Sequence, residues 1–185
     1  MPIVGILALQ GDFAAHAAAV ELSGFAARQV RTAAQLREVR ALIIPGGEST
    51  TMLKLIEIET LTCPIQDFGK TKPIFGTCAG AILLARHVTN PSQFSFNLMD
   101  IEVERNGYGR QMDSTIGRLS LNGVETEAVF IRAPIIRQTG PLVKVLASYK
   151  GNPVLVEQGL HMAATFHPEL ATSNPVHKLF LERLR

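Results

Sequence analysis

Hydrophobic positions fall into two regimes along the chain. In the first half, short and nearly unbroken apolar runs alternate with stretches of helical spacing. Pro2–Leu9, Phe25–Val30, Ala41–Ile44 and Pro73–Thr77 are such runs. They suit strands covered on both faces, as in a parallel sheet. Between them, Phe13–Leu22, Ala33–Val39, Ser49 to about Glu57, and Ala79–Ala85 read as helices, the first with Asp12 placed to cap it. Glu59–Lys72 reads as a helical piece with loops. The order is βαβαβαβα, the pattern of a doubly wound sheet.

The second half is different. Met99–Arg105, Ile116–Leu121, Ala128–Ile131, Leu142–Ser148, Pro153–Glu157 and His161–Phe166 all read as strands separated by turn residues. Asn122-Gly123 and Gly151-Asn152 suit tight hairpins. The polar, proline-containing stretch Thr89–Phe96 reads as a surface loop. Val176–Leu184 closes the chain as a helix after Asn174-Pro175. No repeat or linker interrupts residues 1–185, so one α/β domain is expected. Its core is a mostly parallel sheet between helical layers, flavodoxin-like, with antiparallel strands added late.

Composition narrows the function classes. Hydrophobic residues are 46% and charged residues 18%, which excludes a disordered chain. The net charge is +2 with no basic block, and aromatic residues are only 6% with no Trp. Neither an electrostatic footprint nor a stacking platform for nucleic acid is present. No apolar run approaches the ~20 residues of a membrane span, and the N-terminus lacks a basic region and cleavage site. Two cysteines cannot form a disulfide scaffold. A reduced, cytoplasmic setting is expected, in which a cysteine acts as a thiol. Cys63 lacks a partner and reads as buried and inert. His16 and His87, in helical or helix-end contexts, read as surface or satisfied residues, while His161 falls in a strand and His177 on the last helix. No pair has metal-ligand spacing, so no metal is expected.

Chemistry concentrates at the ends of three predicted strands. Gly76-Thr77-Cys78-Ala79-Gly80 lies between a strand and a helix. Small neighbours permit a sharp elbow that lifts the Cys78 side chain above the sheet. The following helix N-terminus lowers a thiol pKa, and the Ala79 amide points where an oxyanion would form. His167-Pro168-Glu169 follows the last strand. In extended chain, residues two apart point the same way, so Glu169 can orient the His167 imidazole. Pro45-Gly46-Gly47-Glu48-Ser49-Thr50 ends a third strand and can offer the Gly47 N–H as a second oxyanion donor. A buried cysteine in a glycine-rich turn, a surface ion pair and a helix-capping loop are the plain structural alternatives. Read jointly, at strand ends where open α/β sheets place their sites, the three favour a Cys-His-Glu triad.

The order of these motifs resembles class I, triad-type glutamine amidotransferases. Leu9-Gln10-Gly11, Phe75-Gly76-Thr77-Cys78-Ala79-Gly80, Val103-Glu104-Arg105-Asn106, Gly109-Arg110-Gln111, Phe130-Ile131-Arg132-Ala133-Pro134 and Phe166-His167-Pro168-Glu169-Leu170 narrow it. Over nearly the whole chain they look like the glutaminase subunits of pyridoxal 5′-phosphate synthase. Ala81 and the segment Glu57–Lys70 fit that pattern loosely. The resemblance implies Cys78 as nucleophile, His167 as general base and acid, and Glu169 as its orienter. It implies that Gly46, Gly47 and Glu48 line the L-glutamine site, and that Arg105 with Ile131-Arg132 holds the amino-acid end. It further implies a synthase subunit as partner in a large hetero-oligomer, with no cofactor in this chain. An amidotransferase of another pathway and a catalytically silent docking subunit are the rival readings. A Gly46-Gly47 peptide that can flip would make activity depend on the partner.

Overall fold

The computed structural model describes residues 2–107, 114–173 and 175–185. Gly109-Arg110-Gln111 and Asn174, which the sequence reading used, lie outside the described residues. The first half runs β1 (Ile3–Leu7), α1 (Phe13–Leu22), β2 (Ala26–Val30), α2 (Ala33–Arg37), β3 (Ala41–Ile44), α3 (Ser49–Ile58), α4 (Thr62–Gly69), β4 (Ile74–Thr77) and α5 (Ala79–Leu84). The predicted helices start where their caps stand. The Asp12 carboxylate accepts from Ala15 N–H at 3.1 Å. Thr32 and Gln35 close a reciprocal capping box on α2.

The second half adds β5 (Ala85–Thr89), β6 (Met99–Glu104), β7 (Ser114–Leu121), β8 (Val124–Ile131), β9 (Ile135–Thr139), β10 (Lys144–Tyr149), β11 (Asn152–Gln158), β12 (His161–Ala164) and α6 (Pro175–Leu181). Seven strands form the central sheet in the order β10-β11-β12-β4-β3-β1-β2. Pairing from β12 to β2 is parallel, and β11 and β10 add antiparallel. Strands β5-β6-β9 make a small second sheet, and β7-β8 a separate hairpin.

Alternation along the central strands divides the core between the two faces. Leu42 and Ile44 face Met52, Ile56, Ile65 and Leu83 of α3, α4 and α5. Ala41 and Ile43 face Val20 of α1, Phe180 of α6 and Phe130 of the hairpin. Asn122 and Gly123 turn the β7-β8 hairpin with φ of 52° and 80°. The second tight turn falls one residue earlier than expected, at Lys150-Gly151.

Several sequence expectations need correction. Strands β5 and β9 are absent from the sequence reading, because Arg86-His87 and Arg137-Gln138 break any apolar run at the edges of the small sheet. His87 is therefore an exposed strand residue. Thr89–Phe96 is not wholly superficial: the Phe96 amide donates to Leu83 O at 2.7 Å and its ring is buried. Cys63 is exposed rather than buried, because α4 turns it outward while Ile65 and Phe68 face the core.

Candidate active site

The site sits above the carboxyl ends of β3, β4 and β12. Cys78 caps α5 with φ 48° and ψ −103°, a left-handed conformation that makes the elbow. Both flanking glycines are there for close approach. A Cβ on Gly76 would overlap the Gly80 carbonyl, and one on Gly80 would overlap the Ile44 carbonyl. The Cys78 amide donates to Ala164 O at 2.8 Å, tying the elbow to β12. Ala79 is the first helical residue, so helix geometry leaves its N–H without an intrahelical acceptor.

His167 and Glu169 meet, by a different route from the one expected. The chain is not extended there: Pro168–Leu170 is a 3-10 turn with His167 as its N-cap. Pro168 favours this start, since its fixed φ and missing N–H suit a first helical position. The turn brings His167 Nδ1 to 2.8 Å from Glu169 Oε1. The Glu169 side chain is 1% exposed. Burial lowers the His167 pKa, but hydrogen bonds with Cys78 and Glu169 and the charge of both outweigh it, raising it to about 10. Gly46 lies against the imidazole, where a Cβ would run into the ring and crowd the Cys78 side chain.

Cys78, His167, Gly47, Glu48, Arg105, Ile131 and Arg132 all line one cleft of about 340 Å³. Ser49, Ile82 and Asn106 complete its wall. The volume is that of a small-metabolite pocket. Gly46, Ala79 and Glu169 support the cleft from behind rather than line it. Arg105 follows β6, and its amide donates to Thr89 O at 3.0 Å, so the small sheet is what aims it. Its guanidinium lies 3.2 Å from Glu48 Oε1. Glu48 also caps α3, accepting from the Thr50 and Thr51 amides and hydroxyls. Partial burial raises its pKa, but those bonds, led by the Thr50 hydroxyl, hold it down to about 2.

The hairpin supplies the opposite wall. The His167 amide donates to Val129 O at 2.8 Å, an isolated antiparallel bridge. Ile131 and Arg132 thereby overhang Cys78, whose sulfur is 3.9 Å from Ile131 O. Arg132 has φ 44°, a left-handed conformation uncommon for a non-glycine residue.

Two histidines near the site, assigned no role in the chemistry from sequence, are buried and bonded to each other. His16 and His177 are both 0% exposed. Their spacing carries the signal: His16 shares a helix face with Ala19 and Val20, and His177 with Phe180 and Leu181. Among the described residues, no group of three or more His, Cys, Asp or Glu is placed to hold a metal ion. No helix among them is long and apolar enough to cross a membrane.

Comparison with known proteins gives the family and the fold. The profile of the SNO glutamine amidotransferase family matches residues 6–185. A "Pyridoxal 5'-phosphate synthase subunit PdxT" of Solibacter usitatus is 57% identical, over 100% of both chains. A subunit of the same name from Koribacter versatilis is 52% identical, over 98% of this chain and 95% of its own. A solved structure described as a glutamine amidotransferase superposes with a TM-score of 0.91 at 42% identity, covering 97% of each chain. PurLQS from Thermotoga maritima shares the fold with a TM-score of 0.71 at 17% identity, covering 100% of this chain and 99% of that one.

Proposed function

The chain belongs to the SNO glutamine amidotransferase family, and from that premise we propose that it hydrolyses L-glutamine and supplies the ammonia to a synthase subunit making pyridoxal 5′-phosphate. The relatives' shared name, PdxT, supports the pathway. The chemistry rests chiefly on one observation: Glu169 Oε1 lies 2.8 Å from His167 Nδ1, and His167 lines the same cleft as Cys78, which supports a Cys-His-Glu triad.

In this reading Cys78 attacks the side-chain amide carbon of glutamine as the thiolate, with His167 as imidazolium. The N–H groups of Gly47 and Ala79 hold the resulting oxyanion. His167 gives its proton to the amide nitrogen, ammonia leaves, and a γ-glutamyl thioester remains on Cys78. Water then attacks the thioester and passes a proton to His167. Glutamate departs and the thiolate–imidazolium pair is restored. Glu169 stabilises the imidazolium without itself taking a proton.

The amino-acid end of glutamine carries one positive and one negative group. Glu48 stays ionised in the cleft, which suits the ammonium. Arg105, with a planar fork, suits the carboxylate, and the Ile131-Arg132 overhang closes above it. The Gly46 carbonyl packs against Gly11, which has room for it only because it lacks a Cβ. A trans peptide then turns the Gly47 N–H to the other side, as an oxyanion donor requires. Gln10 Oε1 accepts from the Glu48 amide at 3.2 Å and braces the same loop. A synthase subunit docking near Gln10 and Gly46-Gly47 would hold this orientation and raise turnover. The test is glutamate release from glutamine, with and without the synthase subunit, by the natural chain and by Cys78→Ser. Release that needs both the thiol and the partner supports the proposal. Release unaffected by Cys78→Ser ends it.

A further inference from the structure

Behind the triad, the fold buries two imidazoles that the hydrolysis scheme leaves without a part. His16 of α1 and His177 of α6 meet through Nδ1 and Nε2 at 2.9 Å. His16 Nε2 lies 3.2 Å from Thr77 Oγ1 and 3.3 Å from Glu169 Oε2. Glu169 Oε2 is fully buried and makes no hydrogen bond of regular geometry among the described residues, so the 3.3 Å approach of His16 Nε2 is a polar contact to an otherwise orphaned oxygen. The other oxygen of the same carboxylate is the one at His167 Nδ1. Phe75 stands edge-on to His177 and closes the far end with an apolar ring.

The protons of this series can be assigned by elimination. Burial keeps both His16 and His177 neutral, so each carries one N–H. His177 Nδ1 is buried without a partner. A stranded N–H in that place is disfavoured more than a stranded lone pair. The His177 proton therefore belongs on Nε2, donating to His16 Nδ1. His16 must then carry its own proton on Nε2, which is hydrogen-bonded to Thr77 Oγ1 and stands 3.3 Å from Glu169 Oε2. The opposite assignment would strand an N–H at His177 and point a lone pair at a carboxylate.

Resting on the glutaminase reading above, we infer that His16 is a positioning residue, its tautomer fixed by His177, that holds Glu169 Oε2 so that Oε1 stays on His167. It touches neither substrate nor reacting atoms. Its effect reaches Cys78 only through the carboxylate and the imidazole.

The side-chain amides of glutamine and asparagine separate this role from mere packing. In His16→Gln, the amide nitrogen stands as far along the side chain as Nε2 and can donate to Glu169. In His16→Asn, it reaches only as far as Nδ1, toward His177. With the synthase subunit present, His16→Asn should lower kcat about ten- to a hundredfold with KM for glutamine little changed, the scale of one hydrogen bond to a charged group. His16→Gln should keep most of the rate. Placed on Glu169→Gln, His16→Asn should cost nothing further, because the two act as a unit. Equal rates for the two His16 variants, or a full additional loss on Glu169→Gln, would overturn the inference. Nitrogen-15 NMR of the natural chain reads the tautomer whatever the variants do. A proton on His16 Nε2 is expected, and one on Nδ1 would contradict the assignment. Absence of glutamate release by the natural chain would instead strike the glutaminase reading.

Discussion

The main-chain N–H of His167 donates to the carbonyl of Val129 at 2.8 Å. This bridge fastens the β7-β8 hairpin to the turn that carries the imidazole, and it sets Ile131 and Arg132 over Cys78. The hairpin is held elsewhere by Phe130, which stacks on Tyr149 at 4.7 Å and leans on Phe166 at 5.7 Å.

Phe130→Ala should therefore act on stability and on substrate binding together. Removing a buried ring of this kind costs about 3–5 kcal/mol. Denaturant unfolding should show a loss near the lower end, since the hairpin can partly collapse onto the gap. KM for glutamine should rise more than kcat falls, because the overhang loosens while Cys78 and Glu169 stay in place. An unchanged KM would separate the hairpin from the substrate site.

Gly46→Ala tests the floor of the site. A Cβ there would strike the His167 imidazole and crowd the Cys78 side chain. The imidazole cannot yield without leaving Glu169, so activity should fall at least a hundredfold, the scale of losing one preorganised group. Thermal unfolding should move far less. A near-normal rate would mean that the imidazole has another productive position.

Arg105→Ala should raise KM for glutamine about ten- to a hundredfold, the weight of a charge-assisted hydrogen bond to a carboxylate. Arg105→Lys should recover only part of this, because an ammonium lacks the planar fork. Steady-state kinetics on the activated enzyme decides it. A pure kcat effect would assign Arg105 to the reacting amide instead.

Acid stability should report the buried imidazoles. The His177 pKa falls from 6.5 to about 4, because burial disfavours its charged form. Its neutral form thus supports the fold above pH 6.5, and that support is lost as pH falls from about 6.5 toward 4. At pH 5 the loss from this one group is about 2 kcal/mol. His177→Leu should flatten the decline in unfolding free energy between pH 7 and pH 5, whatever it does at pH 7. An unchanged slope would mean that His177 is already accessible to protons in the folded state.

Much of this site was legible before any coordinates. The elbow follows from glycines flanking Cys78, and the strand-end positions of Gly46-Gly47 and His167 follow from unbroken apolar runs. Arg105 and Arg132 were legible only through family resemblance, since their local sequence reads as surface charge. Strands β5 and β9, which seat Arg105, were hidden because a small sheet with polar edges leaves no period-2 pattern. The Pro168–Leu170 turn was mistaken for extended chain because a single Pro suits either. The spacing of His16 with Ala19 and Val20 marks a buried face of α1, but its link to the site is tertiary, because α6 and Glu169 that close over that face come from the far end of the chain.

The central claim is that Cys78 carries glutamine hydrolysis and that a synthase subunit switches it on. Its most direct test is the rate of glutamate formation from glutamine by the natural chain and by Cys78→Ala, each alone and with the synthase subunit. The isolated natural chain should show a weak rate that rises strongly on adding the partner. Cys78→Ala should form no detectable glutamate in either condition, while still folded and still binding the partner. Glutamate formed by Cys78→Ala at a near-normal rate, or an isolated chain already fully active and indifferent to the synthase, would contradict it.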